Sequence, residues 1–384
     1  MFLEKEGKLI YSYDGETVCI EAWGKDALRV RATKNRSFTG RDWALEAKDA
    51  HAGEVEIFED PSAKGGAFAN MYEGTDTSYG KITNGKLHAV INSGSVITFY
   101  HEDGRVLLKE HFRRLRDEES MPLNIMGREY SNGVGDNFRI VARFVARKGE
   151  KIFGMGQYQQ HELDLKGCML ELAQRNSQVS VPFYLSSIGY GFLWNNPGVG
   201  QVMFANNGTE WVTESGKEID YLVIAGDTPA EIEENYMTLT GKPPMMPEYG
   251  MGFWQCKLRY WNQEQLLSVA RKYKELGVPL DVIVVDFFHW TKQGEFKFDP
   301  KYWPDVPGMC RELKEMGIQV VVSVWPTVDI YSENFEEMKE KGYLVRTEHG
   351  VPLTMLCGGN EVFFDATNPD ARTYVWEKIK KNYY

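Results

Sequence analysis

The residue types best suited to chemistry stand where short apolar runs end. Asp286 closes the run Leu280-Asp-Val-Ile-Val-Val, and Phe287, Phe288, His289 and Trp290 follow it without a break. Burial alone explains poorly an ionisable carboxylate set before three aromatic rings and an imidazole. A carboxylate accepts hydrogen bonds from hydroxyl groups, and flat rings grip flat apolar faces, so the pattern suits a polyhydroxylated ligand. The plainer reading makes Asp286 a helix cap or one half of a rim salt bridge. Trp325, which ends Ile318-Gln-Val-Val-Val-Ser-Val, is either the wall of a sugar subsite or an ordinary core ring. His289 either meets a hydroxyl, orients a carboxylate, or sits satisfied beside Trp290. Lys257, Arg259 and Tyr260 follow a further run, Gly252-Phe-Trp-Gln-Cys256, and its two cations either approach a substrate or pair with neighbouring carboxylates. The candidate ligand-binding set is therefore Asp286, Phe287, His289, Trp290, Trp325, Arg259 and Tyr260. Asp299, Asp305 and Asp365 stand before prolines or helix starts, where Asp caps backbone donors, and they read as structural.

The elements that must position these residues change character near residue 245. Residues 1–245 repeat short alternating segments, such as Leu87-His-Ala-Val-Ile-Asn and Val96-Ile-Thr-Phe-Tyr, broken by turns at Asp103-Gly104 and Asn195-Asn196-Pro197-Gly198. That pattern predicts an antiparallel β-sandwich. One helix interrupts it, capped by Thr228, opened by Pro229 and stopped by Gly241. Gly154-Met-Gly156 superficially resembles a phosphate loop, but it lies in strand-rich sequence and lacks the rest of such a motif.

Beyond the joint Lys242-Pro-Pro-Met-Met-Pro247, residues 246–384 alternate strands with helices. Strands are expected at 252–256, 280–286 and 318–325, and helices at 263–276, 308–316, 333–341 and 369–383. Such alternation means right-handed βαβ units and a parallel sheet, whose functional groups collect at the C-terminal strand ends. About 135 residues follow the joint, whereas a closed (β/α)8 barrel takes roughly 250, so the expectation is the first strands and helices of a TIM barrel, incomplete in this chain. A self-contained open sheet of three strands is the alternative.

Composition narrows the function further. At 384 residues the chain has room for two cores. A formal net charge of −11 argues against nucleic-acid partners, which need a basic footprint. No run approaches a membrane span, and the acidic start MFLEKEGKLIYSYDGETVCI does not resemble a signal peptide, so the expected compartment is the cytosol. Cys19, Cys168, Cys256, Cys310 and Cys357 are odd in number and widely spaced, which predicts reduced thiols, mostly core fillers, and neither disulfides nor structural zinc.

Several motifs, taken in order, resemble glycoside hydrolase family 31, the retaining α-glucosidases and α-xylosidases. They are Ile152-Phe-Gly-Met-Gly-Gln157, Val181-Pro-Phe-Tyr-Leu-Ser-Ser-Ile-Gly-Tyr-Gly-Phe-Leu-Trp-Asn195, Tyr249-Gly-Met-Gly-Phe-Trp-Gln-Cys256, Pro279-Leu-Asp-Val-Ile-Val-Val-Asp286, Phe298-Asp-Pro300, Val324-Trp-Pro326 and Phe364-Asp-Ala-Thr-Asn-Pro-Asp370. Residues 1–150 match the family only in general texture. The resemblance implies a galactose-mutarotase-like β-sandwich that lends a loop to a (β/α)8 catalytic barrel. It implies release of terminal α-linked xylose or glucose from an oligosaccharide or small glycoside, with retention. It carries Asp286 over as the carboxylate that binds sugar hydroxyls, with Phe287 and Trp325 lining the same subsite.

The same resemblance puts the nucleophile and the acid/base Asp beyond Tyr384. Retention needs two carboxyl groups about 5–5.5 Å apart, and one binding carboxylate cannot replace them. The chain alone is therefore expected to be inactive, and a non-catalytic carbohydrate-binding or structural protein on the same scaffold is the competing reading. Xylose is favoured over glucose because the aromatic loop after Asp286 would crowd a hydroxymethyl group. No metal or organic cofactor is expected, since carboxylates hydrolyse glycosides unaided. Homo-oligomerisation stays open.

Overall fold

The computed structural model describes residues 1–46, 49–59, 78–111, 125–347, 349–354 and 360–384. Cys357 lies outside the described residues. The chain forms two compact units, Met1–Pro243 and Pro244–Tyr384.

The first unit is built from antiparallel sheets. The largest runs, in spatial order, through Phe2–Lys5, Lys8–Tyr13, Glu16–Trp23, Ala27–Thr33, Ile219–Ala225, Tyr190–Trp194, Val179–Ser186 and Ile152–Gln157. A five-stranded sheet runs from Val106–Lys109 to Glu54–Glu59, and another from Arg128–Asn132 to Met169–Leu172. Strict alternation along Leu87–Asn92, buried at every second residue, gives each strand one apolar face to bury. Those faces meet in a core rich in rings, with Phe144, Tyr184, Phe192, Phe204, Trp211 and Tyr221 packed edge-to-face or in parallel. The helix Pro229–Thr240 begins at Thr228, whose hydroxyl accepts from the Glu231 amide at 3.2 Å, and ends at Gly241 with φ +96°. Ile232 and Leu239 press it onto Leu193, Leu222 and Ile224.

Gly154-Met-Gly156 is explained by a β-bulge. The pairing of Ile152–Gln157 with Val179–Ser186 slips between Gly154 and Gly156, and both glycines have positive φ. The extra residue turns Met155 into the core, where it is fully buried.

The second unit holds three parallel strands, Trp254–Cys256, Val282–Val285 and Gln319–Val322, alternating with helices Gln263–Glu275 and Val306–Glu315. Their boundaries follow local chemistry. Asn262 caps the first helix by accepting from the Gln265 amide at 2.9 Å, and Asp305 caps the second by accepting from Gly308 at 2.9 Å. Gly277 and Gly317, both at positive φ, stop them. Leu266, Leu267 and Ala270 of the first helix and Met309 and Leu313 of the second cover Ile283 and Val285. The helices Phe335–Glu340 and Pro369–Tyr383 follow, the latter capped by Asn368.

The structure corrects the expected third strand. Its parallel pairing ends at Val322 rather than Trp325, because its partner strand ends at Val285, opposite Val322, and Pro326 then keeps Trp325 from resuming a ladder. The chain then forms a short antiparallel pair, Thr327–Asp329 with Glu361–Phe363, that no local pattern announced.

Candidate functional site

Parallel pairing sets Cys256 opposite Val284 and Val285 opposite Val322, so the C-terminal ends of the three strands come together. Asp286 occupies the end of the central one and is partly exposed. Its Oδ1 accepts the Phe287 amide at 2.8 Å, and its Oδ2 lies 3.8 Å from the Cys256 thiol. It caps no helix, and among the described residues no cation forms an ion pair with it. Among the described residues neither plainer role for this carboxylate is seen, and acceptor capacity remains for a ligand.

Beside it, the Phe287 and Trp325 rings stack with centroids 4.9 Å apart and planes 14° from parallel. Phe288 leans on Phe287 at 4.0 Å, is half exposed, and holds a left-handed backbone at φ +67°. Such a backbone in a bulky residue persists only where its surroundings hold it, and it turns this ring outward. Arg259 pairs with no carboxylate among the described residues. Its guanidinium lies 3.7 Å from the Trp261 ring and 5.0 Å from the Phe288 ring, with Nε shielded from solvent and without a hydrogen-bond partner among the described residues.

The remaining three candidates face inward. Tyr260 is 4% exposed, belongs to the core under the sheet, and accepts from the side-chain Nε2 of Gln255 at 3.3 Å. His289 is 1% exposed, held 3.1 Å from the Asp286 carbonyl by Nδ1 and 2.7 Å from the Tyr383 hydroxyl by Nε2. Trp290 is buried and meets His289 edge-on at 4.6 Å. Packing and internal hydrogen bonds account for the positions of all three, which lie behind the exposed rim rather than on it. Burial lowers the His289 pKa to about 4 and keeps the ring neutral, although the carbonyl and carboxylate of Asp286 pull the other way.

Cys256 was overlooked among the thiols. The core-filler reading holds for buried Cys19, but Cys256 and Cys310 are exposed and Cys168 is half buried, all without disulfides. Partial burial and the neighbouring Asp286 push the Cys256 thiol up, so it stays protonated. Its register opposite Val284, two residues before Asp286, was the signal that could have placed it at the rim. Asp299, Asp305 and Asp365 each accept from backbone amides two or three residues ahead, as structural carboxylates do.

An antiparallel sandwich followed by the opening strands of a parallel barrel, with a carboxylate and stacked rings at the strand ends, is the architecture of a sugar-cleaving enzyme class. Residues 243–384 match the glycosyl hydrolases family 31 TIM-barrel domain, and residues 17–202 match the glycosyl hydrolase 31 N-terminal galactose mutarotase-like domain. An uncharacterized family 31 glucosidase of Pseudescherichia vulneris is 43% identical over 393 residues, spanning 100% of this chain and 71% of that protein. α-Xylosidase A of Aspergillus niger is 30% identical over 388 residues, spanning 96% of this chain and 50% of that protein. The crystal structure of a family 31 α-xylosidase from a soil metagenome, complexed with xylose, superposes with a TM-score of 0.88 at 47% identity, covering 100% of this chain and 56% of that one. The chain belongs to glycoside hydrolase family 31. It spans only part of the length of each of these relatives. Among the described residues no helix is long and apolar enough to cross a membrane.

Proposed function

We propose that this chain supplies the substrate-binding rim of a retaining α-glycosidase that releases terminal α-linked xylose, in preference to glucose, from an oligosaccharide or small glycoside. Asp286 binds sugar hydroxyls, Phe287 and Trp325 form the wall of the same subsite, and Arg259 holds the Phe288 edge of the rim through its guanidinium. The observation that carries this reading is the Phe287–Trp325 stack beside the Asp286 carboxylate, which forms no ion pair among the described residues. Paired rings next to an acceptor suit the flat, hydroxylated ring of a sugar, and the aromatic loop after Asp286 favours a pentose, which carries no hydroxymethyl arm to be crowded. The α-xylosidases among the relatives support the same choice.

Double displacement requires two further carboxyl groups about 5–5.5 Å apart, one to attack the anomeric carbon and one to protonate the leaving oxygen and then activate water. In this reading both lie outside residues 1–384, so the chain alone binds sugar without cleaving it. A cytosolic setting and a two-domain organisation, with the boundary near residue 245, complete the proposal; free Cys19, Cys168, Cys256 and Cys310 support the first.

Titration calorimetry of residues 1–384 with xylose and glucose tests the binding assignment. Saturable xylose binding, tighter than glucose and weakened at least tenfold (about 1.4 kcal/mol) by Asp286→Ala, is expected. A preference for glucose would end the xylose assignment, and affinity indifferent to Asp286 would end the site. Turnover of an aryl α-xyloside by the same polypeptide would show that its catalytic carboxylates lie within it.

A further inference from the structure

The first unit contains a cleft of about 300 Å³ with no role in the chemistry described so far. It is walled by the Tyr13–Glu16 turn, the turn at Ser95 and the strand that starts at Arg128, with Lys34 at its mouth. Its floor is a buried ionic cluster. Nε and Nη2 of Arg128 grip the two carboxylate oxygens of Glu16 at 2.9 and 3.0 Å, and Nη1 is bonded to Glu110. Nη2 also reaches the carbonyl and hydroxyl of Ser95, at 2.8 and 2.7 Å, and the Tyr130 hydroxyl donates to Glu16 at 2.8 Å.

Stapling the sheets together does not require this arrangement. Burying ions costs several kcal/mol each, and well-packed apolar side chains of similar volume hold strands at least as well. Here the cluster lies under a solvent-open cleft, with Glu16 9%, Glu110 1% and Arg128 8% exposed, and burial raises the Glu110 carboxyl although Arg128 pulls it down. The cluster also has a direction. Nearly every Arg128 donor is consumed internally, and Glu110 also accepts from the Ile97 amide at 3.0 Å and the Tyr221 hydroxyl at 3.2 Å, whereas Oε2 of Glu16 accepts only from Arg128 among the described residues. Burial alone would raise Glu16, but Arg128 and Tyr130 hold it below the usual carboxylate range, so it faces the cleft ionised.

The ionised Glu16 carboxylate disfavours an anion beside it and accepts from a ligand that carries hydroxyl donors. The Tyr13 ring, 46% exposed and backed by Tyr11 at 6.2 Å and 12°, offers a flat apolar face on one side. The volume stands at the lower end of small-molecule pockets, about 300–1,000 Å³, which suits one or two sugar rings. We infer that this cleft is a second carbohydrate site, which takes a neutral pyranose through hydrogen bonds to Glu16 and stacking on Tyr13. It lies in a different unit from the Asp286 rim and rests on separate residues.

Calorimetric titration of the full chain with xylose and glucose separates the two sites. Asp286→Ala protein should retain one saturable event with a Kd of about 1 mM. Adding Tyr13→Ala, or Ser131→Trp at the exposed edge of the cleft, should weaken that event more than tenfold with the melting temperature unchanged. Absence of binding in Asp286→Ala, or binding there that ignores both cleft substitutions, would overturn the second site and leave the rim standing. Loss of all binding on Tyr13→Ala and Ser131→Trp alone would leave the cleft standing and remove the rim. Heat from inorganic phosphate that Ser131→Trp abolishes would overturn the neutral-ligand assignment.

Discussion

The Tyr383 hydroxyl lies 2.7 Å from Nε2 of His289 and ties the helix Pro369–Tyr383 to the loop that follows the central barrel strand. The Asp286 carbonyl, 3.1 Å from Nδ1, accepts only, so the neutral ring carries its proton on Nδ1. Nε2 is then an acceptor and Tyr383 the donor, in keeping with a phenol that burial pushes well above its ordinary value. Tyr383→Phe removes that donor and leaves a buried nitrogen unsatisfied. Urea denaturation should show a loss of about 1–3 kcal/mol; an unchanged midpoint would mean that the bond contributes nothing.

The same histidine sets a pH dependence. Its folded pKa, about 4, lies below the ordinary value of 6.5. Between those values the unfolded chain binds a proton that the folded chain refuses, so stability is complete above pH 6.5 and falls as the pH drops toward 4. His289→Gln removes this titration. Wild type should therefore lose more stability than the variant between pH 6.5 and 5, and parallel melting curves would exclude His289 as the source.

Gly156 stands at φ +91°, and a Cβ there would sit 2.2 Å from the Val179 carbonyl oxygen and 2.8 Å from the Val181 amide, both backbone atoms. Neither can yield without breaking the bulge. Gly156→Ala should cost about 3 kcal/mol, from the strained backbone and the clash together. Guanidinium unfolding within 1 kcal/mol of wild type would contradict this geometry.

Arg29 and Asp220 are fully buried and joined by two bonds, 3.0 and 2.6 Å long, with Asn195 completing the carboxylate at 2.9 Å. Asp42 holds the far side of the guanidinium at 2.7 Å. Asp220→Ala leaves a buried cation with half its partners, and a loss of about 3 kcal/mol is expected. Recovery in the double variant Arg29→Met/Asp220→Ala would identify the orphaned charge as the cause; a double variant no more stable than the single would point to packing instead.

The stacked wall makes a functional prediction. Trp325→Ala deletes half of the Phe287 contact, and aromatic pairs contribute about 0.5–1.5 kcal/mol beyond area burial. Xylose affinity should fall roughly three- to tenfold, while Tyr260→Phe, whose ring faces the core, should leave it unchanged. The reverse ranking would move the binding surface to another face of the sheet.

Much of this molecule was legible along the chain because the signals are local. Alternating residues marked the sandwich strands, Thr228 and Asp305 marked helix starts, and Gly241 marked a helix end. The continuous apolar run before Asp286 placed that carboxylate at a strand end, where the structure has it. These features depend on backbone sterics and on hydrogen bonds spanning three or four residues, which a single segment specifies by itself.

What the residues could not settle was which side chains of one loop face inward. His289 is claimed by Tyr383, 94 residues later; Cys256 meets Asp286 across 30 residues; and Arg128 finds Glu16 across 112. Thr327–Asp329 pairs with Glu361–Phe363 although neither is long enough to declare itself a strand. Each outcome depends on a partner supplied by a distant segment, and burial is a property of the packed ensemble rather than of any residue within it. The amino-acid order alone therefore determined that a carboxylate should stand at the end of a parallel strand, while tertiary packing decided which rings and ions surround it.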